Sequence, residues 1–85
     1  MSQWLAVMNK KYYVIVPSAR YDFWKEQSSS VIPSLSGFSY VSELTYENFS
    51  YWFFTVDTED VLNRMIILAN NCGFQLVEGA TYRAL

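Results

Sequence analysis

Runs of apolar residues broken by turn-forming residues mark six elements along this chain. Lys11-Tyr-Tyr-Val-Ile-Val16 is rich in β-branched and aromatic residues and is stopped by Pro17, which has no N–H to give a sheet ladder. It predicts a first strand. Ser18 stands where helix N-caps are favoured, so Ala19 to Glu26 are expected to form a short first helix. Ser28-Ser-Ser30, Pro33, Ser34, Ser36 and Gly37 punctuate the next stretch, which reads as a polar connection inside one domain.

Phe38-Ser-Tyr-Val-Ser-Glu-Leu44 and Phe49-Ser-Tyr-Trp-Phe-Phe-Thr-Val56 predict two more strands, and Thr45-Tyr-Glu-Asn48 between them suits a hairpin. Asp57 or Thr58 then caps a second helix whose first turn carries Glu59 and Asp60, where negative charge meets the positive end of the helix dipole. On a helical wheel Val61, Leu62, Met65, Leu68, Ala69 and Cys72 share one face, with Asp60, Asn63, Arg64, Asn70 and Asn71 on the other. Gly73 is a helix stop, and Phe74-Gln-Leu-Val-Glu78 supplies a last strand. The order β-α-β-β-α-β predicts an α+β, ferredoxin-like domain, an antiparallel sheet with two helices on one face. Trp4 to Met8 and Ala80 to Leu85 are candidates to extend the sheet at its two ends.

The aromatic residues carry the functional argument. In Phe49 to Val56 the alternating sets are Phe49, Tyr51, Phe53, Thr55 and Ser50, Trp52, Phe54, Val56, and successive strand residues point to opposite faces. Two helices cover one face only, so one aromatic set is left for something else to cover. A contiguous apolar patch of several hundred Å² on a monomer marks an interaction site. Tyr13, Tyr40, Phe49, Tyr51 and Phe53 are the expected members, with Trp52 and Phe54 as the complementary set if the strand phase is reversed. The competing reading lets the terminal segments or the Ser-rich stretch fold over that face.

Eighty-five residues suffice for one core, which buries roughly two thirds of the unfolded surface at this size. With 19% aromatic and only 16% charged residues, against about 25% charged in an ordinary domain, the chain is too apolar for disorder. Histidine is absent, which removes His general bases, His metal ligands and Ser-His-Asp or Cys-His catalysis. A single Cys allows no disulfide framework and no Cys-based zinc site, and a reducing compartment is expected. The net charge of -2, with scattered charges, offers no basic footprint for nucleic acid. The N-terminus has no basic region ahead of its short apolar stretch, and no run approaches the length of a membrane span, so a cytoplasmic protein is expected.

Asn48-Phe-Ser-Tyr-Trp-Phe-Phe54 resembles the third-strand motif of RNA-recognition domains, in which aromatics two apart stack on bases. It departs from that motif at Glu47, Asn48 and Trp52, where a cation, a glycine and an aliphatic residue are wanted. A second stretch, from Phe49 through Tyr51-Trp-Phe, Asp57, Val61-Leu62 and Met65 to Cys72-Gly-Phe74, is similar to the end of the small feedback regulatory protein of GTP cyclohydrolase I. That likeness spans the last two fifths or so of the chain and rests mostly on positions any β-α-β unit fills. It implies an oligomeric, non-catalytic binder.

Candidate acids for catalysis are Asp57, Glu59 and Asp60, but capping and dipole complementarity account for them at a helix start. Cys72 lies near a helix C-terminus, where the dipole disfavours a thiolate. No enzyme, cofactor, metal or membrane partner is expected. The sequence supports a non-catalytic regulator, inhibitor or small subunit that docks on another protein or on itself. Single-stranded nucleic-acid binding and small-ligand sensing are the alternatives.

Overall fold

The computed structural model describes residues 11–79. Strands β1 (Tyr12–Pro17), β2 (Phe38–Tyr46), β3 (Phe49–Val56) and β4 (Gln75–Glu78) form one sheet, in the order β2-β3-β1-β4. Every neighbouring pair is antiparallel. Helix α1 (Tyr21–Val31) follows β1, and α2 (Glu59–Cys72) follows β3. The chain is therefore α+β, with a four-stranded antiparallel sheet and two helices. The segments Trp4 to Met8 and Ala80 to Leu85, expected to extend the sheet, lie outside the described residues.

Burial follows the period of two along the central strands. Tyr12, Val14 and Val16 of β1 are buried, and so are Ser50, Trp52, Phe54 and Val56 of β3, while the residues between them are half-buried. Trp24 of α1 and Val61, Met65 and Ala69 of α2 join these residues in a single core. Both helices thus cover the same sheet face. Trp52 and Phe54 point into this core, which fixes the strand phase and turns Tyr51 and Phe53 to the opposite side.

The second helix forms as its pattern demands. The Thr58 hydroxyl accepts from the Val61 N–H at 3.2 Å, and Gly73 closes the helix in the left-handed region at φ 83°. The first helix departs from expectation at both ends. Ser18 does not cap it; a 3-10 turn over Ser18–Arg20 leads into it, and the Ser18 N–H donates to the Asn48 carbonyl at 2.9 Å. At its other end the helix runs through Ser28 to Ser30, a stretch expected to be a loop. Ser28 Oγ donates to the Trp24 carbonyl at 2.8 Å and Ser29 Oγ to that of Lys25 at 2.6 Å, so these hydroxyls are satisfied within the helix. Leu35, beyond a short 3-10 turn over Ile32–Ser34, is buried and anchors the connection to the core.

Strands β2 and β3 extend further into their hairpin than the sequence suggests, leaving Glu47-Asn48 as the loop. Glu47 takes φ 57°, a left-handed backbone that residues other than Gly, Asn and Asp seldom adopt. The register between β2 and β3 shifts between Tyr40 and Ser42, so that Val41 is an extra residue in β2. No helix among the described residues is long and apolar enough to cross a membrane.

Candidate interaction surface

The face of the sheet turned away from both helices is aromatic. Tyr13 of β1 packs against Tyr51 and Phe53 of β3, with ring centroids 5.9 Å and 5.2 Å apart. Phe49 continues the same alternating set and is paired across the hairpin with Tyr46. Leu44 is paired with Tyr51 and so projects on the same side. At the outer part of this face exposure is large: Leu44 is 56%, Tyr46 64% and Phe49 43% exposed. Between the rings lies a concavity of about 660 Å³ lined by Lys11, Tyr13, Val41, Leu44, Tyr51 and Phe53.

Gly79 closes one end of this concavity. Its N–H donates to the Lys11 carbonyl at 2.6 Å, and a Cβ at this position would stand 2.9 Å from the Tyr13 ring. The backbone leaving β4 can lie against Tyr13 only because position 79 carries no side chain.

Of the expected surface residues, Tyr13, Phe49, Tyr51 and Phe53 are brought together on this face. Tyr40 is not. It pairs with Phe54, stands on the helix side with its ring 5.6 Å from that of Trp52, and is 50% exposed beyond the cover of the helices. The bulge is the cause: one extra residue in β2 moves everything before it to the other face. Phe38 goes with Tyr40, stacking on Trp52 and Phe54. Leu44 and Tyr46, absent from the expected set, take their place. Counting outward from the two-residue loop would have found them, because a hairpin loop fixes which residues stand opposite each other.

The groups considered for catalysis sit elsewhere. Thr58 is the cap of α2, and Asp60 forms a surface ion pair with Arg64 at 3.0 Å, one turn along the helix. Burial pushes the Cys72 thiol up, with Arg20 acting in the opposite sense, so the neutral thiol is favoured. On the helix side Tyr21 donates a hydrogen bond to Glu43 across from α1 to β2, and burial followed by that carboxylate raises the phenol above its ordinary value. Arg20 stands over the rings of Phe23 and Phe74, 4.8 Å and 5.5 Å from their centroids. Among the described residues no cluster of His, Cys, Asp and Glu has the arrangement of a metal site.

Comparison with protein-family models, with curated proteins and with solved structures finds no match.

Proposed function

We propose that this protein is a non-catalytic interaction module that docks on another protein through the open aromatic face of its sheet. The arrangement is read as the ferredoxin-like split βαβ, since strands in the order β2-β3-β1-β4, joined through helices after β1 and β3, fit that pattern. The observation that carries the reading is the cluster of Tyr13, Tyr51 and Phe53, continued by exposed Leu44, Tyr46 and Phe49, on the face that neither helix covers. Rings of this kind offer large contact area at little cost in conformational entropy, and Tyr adds a polar tip for hydrogen bonding. A regulator, an inhibitor or a small subunit of a larger assembly would use such a face in the same way.

The test compares the wild-type chain with a variant carrying Leu44→Ser, Tyr46→Ser and Phe49→Ser in affinity capture from the native extract. Ile67→Ser, at a 58% exposed position on α2, serves as the control. A defined protein retained by wild type and by the control, and lost by the triple variant, is the expected result. A strictly monomeric chain that retains no protein would end this reading.

Nucleic-acid binding has one favourable observation, since Tyr13, Phe49 and Tyr51 share the open face as base-stacking residues would. Charge opposes it: no Lys or Arg occurs between Lys25 and Arg64, a stretch that includes all of β2 and β3. Titration with mixed oligonucleotides is expected to give no salt-dependent quenching of the aromatic fluorescence.

A further inference from the structure

We infer that the outer edge of β2 receives an extended, Lys- or Arg-bearing segment of a partner protein, which joins the sheet as an added strand. This deepens the proposed interaction role by naming the partner's chemistry, and it rests on that role. Strand β2 lies at one end of the sheet and among the described residues pairs only with β3. From Ser39 to Tyr46 every residue is exposed. A row of backbone N–H and C=O groups on such an edge is a template for another strand, and proteins usually protect it with Lys, Pro or a covering segment. Strand β2 contains neither Lys nor Pro.

The bulge at Val41 interrupts the edge, so strand addition is confined mainly to Ser42–Tyr46, about 17 Å of regular strand. That length suits a segment of about five residues. Along it Leu44 and Tyr46 stand on the open face beside the concavity, where alternate apolar side chains of the incoming strand would find contact. Glu43 is exposed on the helix side and Glu47 in the loop that follows. Strands β2 and β3 and their loop carry no Lys or Arg of their own; Lys11 lines the concavity and Lys25 stands over the Tyr21 ring. The edge itself presents Glu43, whose carboxylate accepts from Tyr21, Glu47, and the electron-rich rings of Tyr40 and Tyr46 at 50% and 64% exposure. Lys and Arg are the side chains that satisfy both, by ion pairing and by lying over the rings.

Charge also disfavours a second copy of this chain as the occupant. Edge-to-edge pairing of β2 with its own duplicate would add a second Glu43 and Glu47 to the same edge and supply no cation from that strand. A partner with basic residues removes that repulsion.

The test uses two synthetic peptides, Arg-Val-Lys-Val-Arg-Val-Lys-Val and Glu-Val-Asp-Val-Glu-Val-Asp-Val, titrated into the full chain while backbone amides are followed by NMR and hydrogen exchange. The basic peptide is expected to bind at least about tenfold more tightly, to weaken with added salt, and to slow exchange at amides of Ser42–Tyr46. Glu43→Gln with Glu47→Gln should lower its affinity about tenfold, and Glu43→Lys with Glu47→Lys should lower it further. Glu47→Gln alone leaves the Tyr21 contact intact and keeps the test open if the double variants fold poorly. Equal binding of the two peptides would overturn the proposal. So would slow exchange along the β2 edge already in the free chain, whether its own terminal segments or a second copy occupied it. If the triple variant of Leu44, Tyr46 and Phe49 loses a protein that the Glu43 and Glu47 variants retain, the open-face reading stands and the basic-strand proposal falls.

Discussion

The indole of Trp24 in α1 stands edge-on to that of Trp52 in β3, their centroids 5.3 Å apart and their planes at 85°. This contact joins the first helix to the central strands, and a second edge contact at 6.0 Å ties Trp24 to Phe74 before β4. Edge-to-face geometry sets the positive ring edge against the negative face and is worth about 0.5–1.5 kcal/mol beyond area burial. Trp24 is fully buried, yet among the described residues its indole N–H has no hydrogen-bond partner.

From this follows a comparison of two substitutions. Trp24→Ala should lower stability by about 3–5 kcal/mol, because it opens a large cavity between α1 and the sheet. Trp24→Phe keeps a ring in place and removes a buried donor that makes no bond among the described residues, so it should cost less than about half as much. Urea unfolding followed by circular dichroism separates the two. Equal losses would mean that the N–H matters for stability and that the ring-packing account is wrong.

The hairpin holds a position whose residue type opposes its backbone. Glu47 at φ 57° carries the cost of a left-handed conformation, of the order of 1 kcal/mol, which glycine escapes. Glu47→Gly is therefore expected to raise stability by about 0.5–1 kcal/mol despite the extra freedom it gives the unfolded chain. Glu47→Ala, which keeps the Cβ, should give no such gain. A thermal melt of the three proteins side by side is sufficient.

Alkaline pH should loosen the contact between α1 and β2. Tyr21 donates to Glu43, and burial together with that carboxylate raises its folded-state pKa above the ordinary value of 10.0. A raised value means that the folded chain holds this proton more tightly than the unfolded chain does. The associated stability is present below pH 10 and is lost as pH rises past it. Tyr21→Phe cannot ionise, so its stability should fall less steeply over the same range. Parallel slopes for the two proteins in denaturant titrations at pH 9 to 11 would remove Tyr21 as the cause; this window lies about one unit either side of the ordinary tyrosine value.

Much of the fold was legible because strong local patterns agreed with the packing. Helix α2 shows this most clearly: Thr58, the first-turn carboxylates, the apolar stripe through Val61, Met65 and Ala69, and Gly73 all specify the same element, and each sits as expected. The serine run in α1 misled for the opposite reason. Serine reads as a loop former because its hydroxyl competes for backbone groups, but in Ser28 and Ser29 that hydroxyl bonds carbonyls of the preceding turn and the helix continues.

The candidate site divides along the same line. Alternation in the sequence by itself separated Tyr51 and Phe53 from Trp52 and Phe54, because a strand's side chains must point to opposite faces in turn. Which set would face the helices was a matter of tertiary packing, decided when Trp24 closed over Trp52. The division of β2 was decided there too. Nothing in Tyr40-Val-Ser42 announces a bulge, yet one unpaired residue at Val41 sends Tyr40 to the helix side and leaves Leu44 and Tyr46 on the open one. A period-two pattern carries no information about where its own phase breaks; that depends on how the pairing with β3 and the packing beneath it are satisfied together.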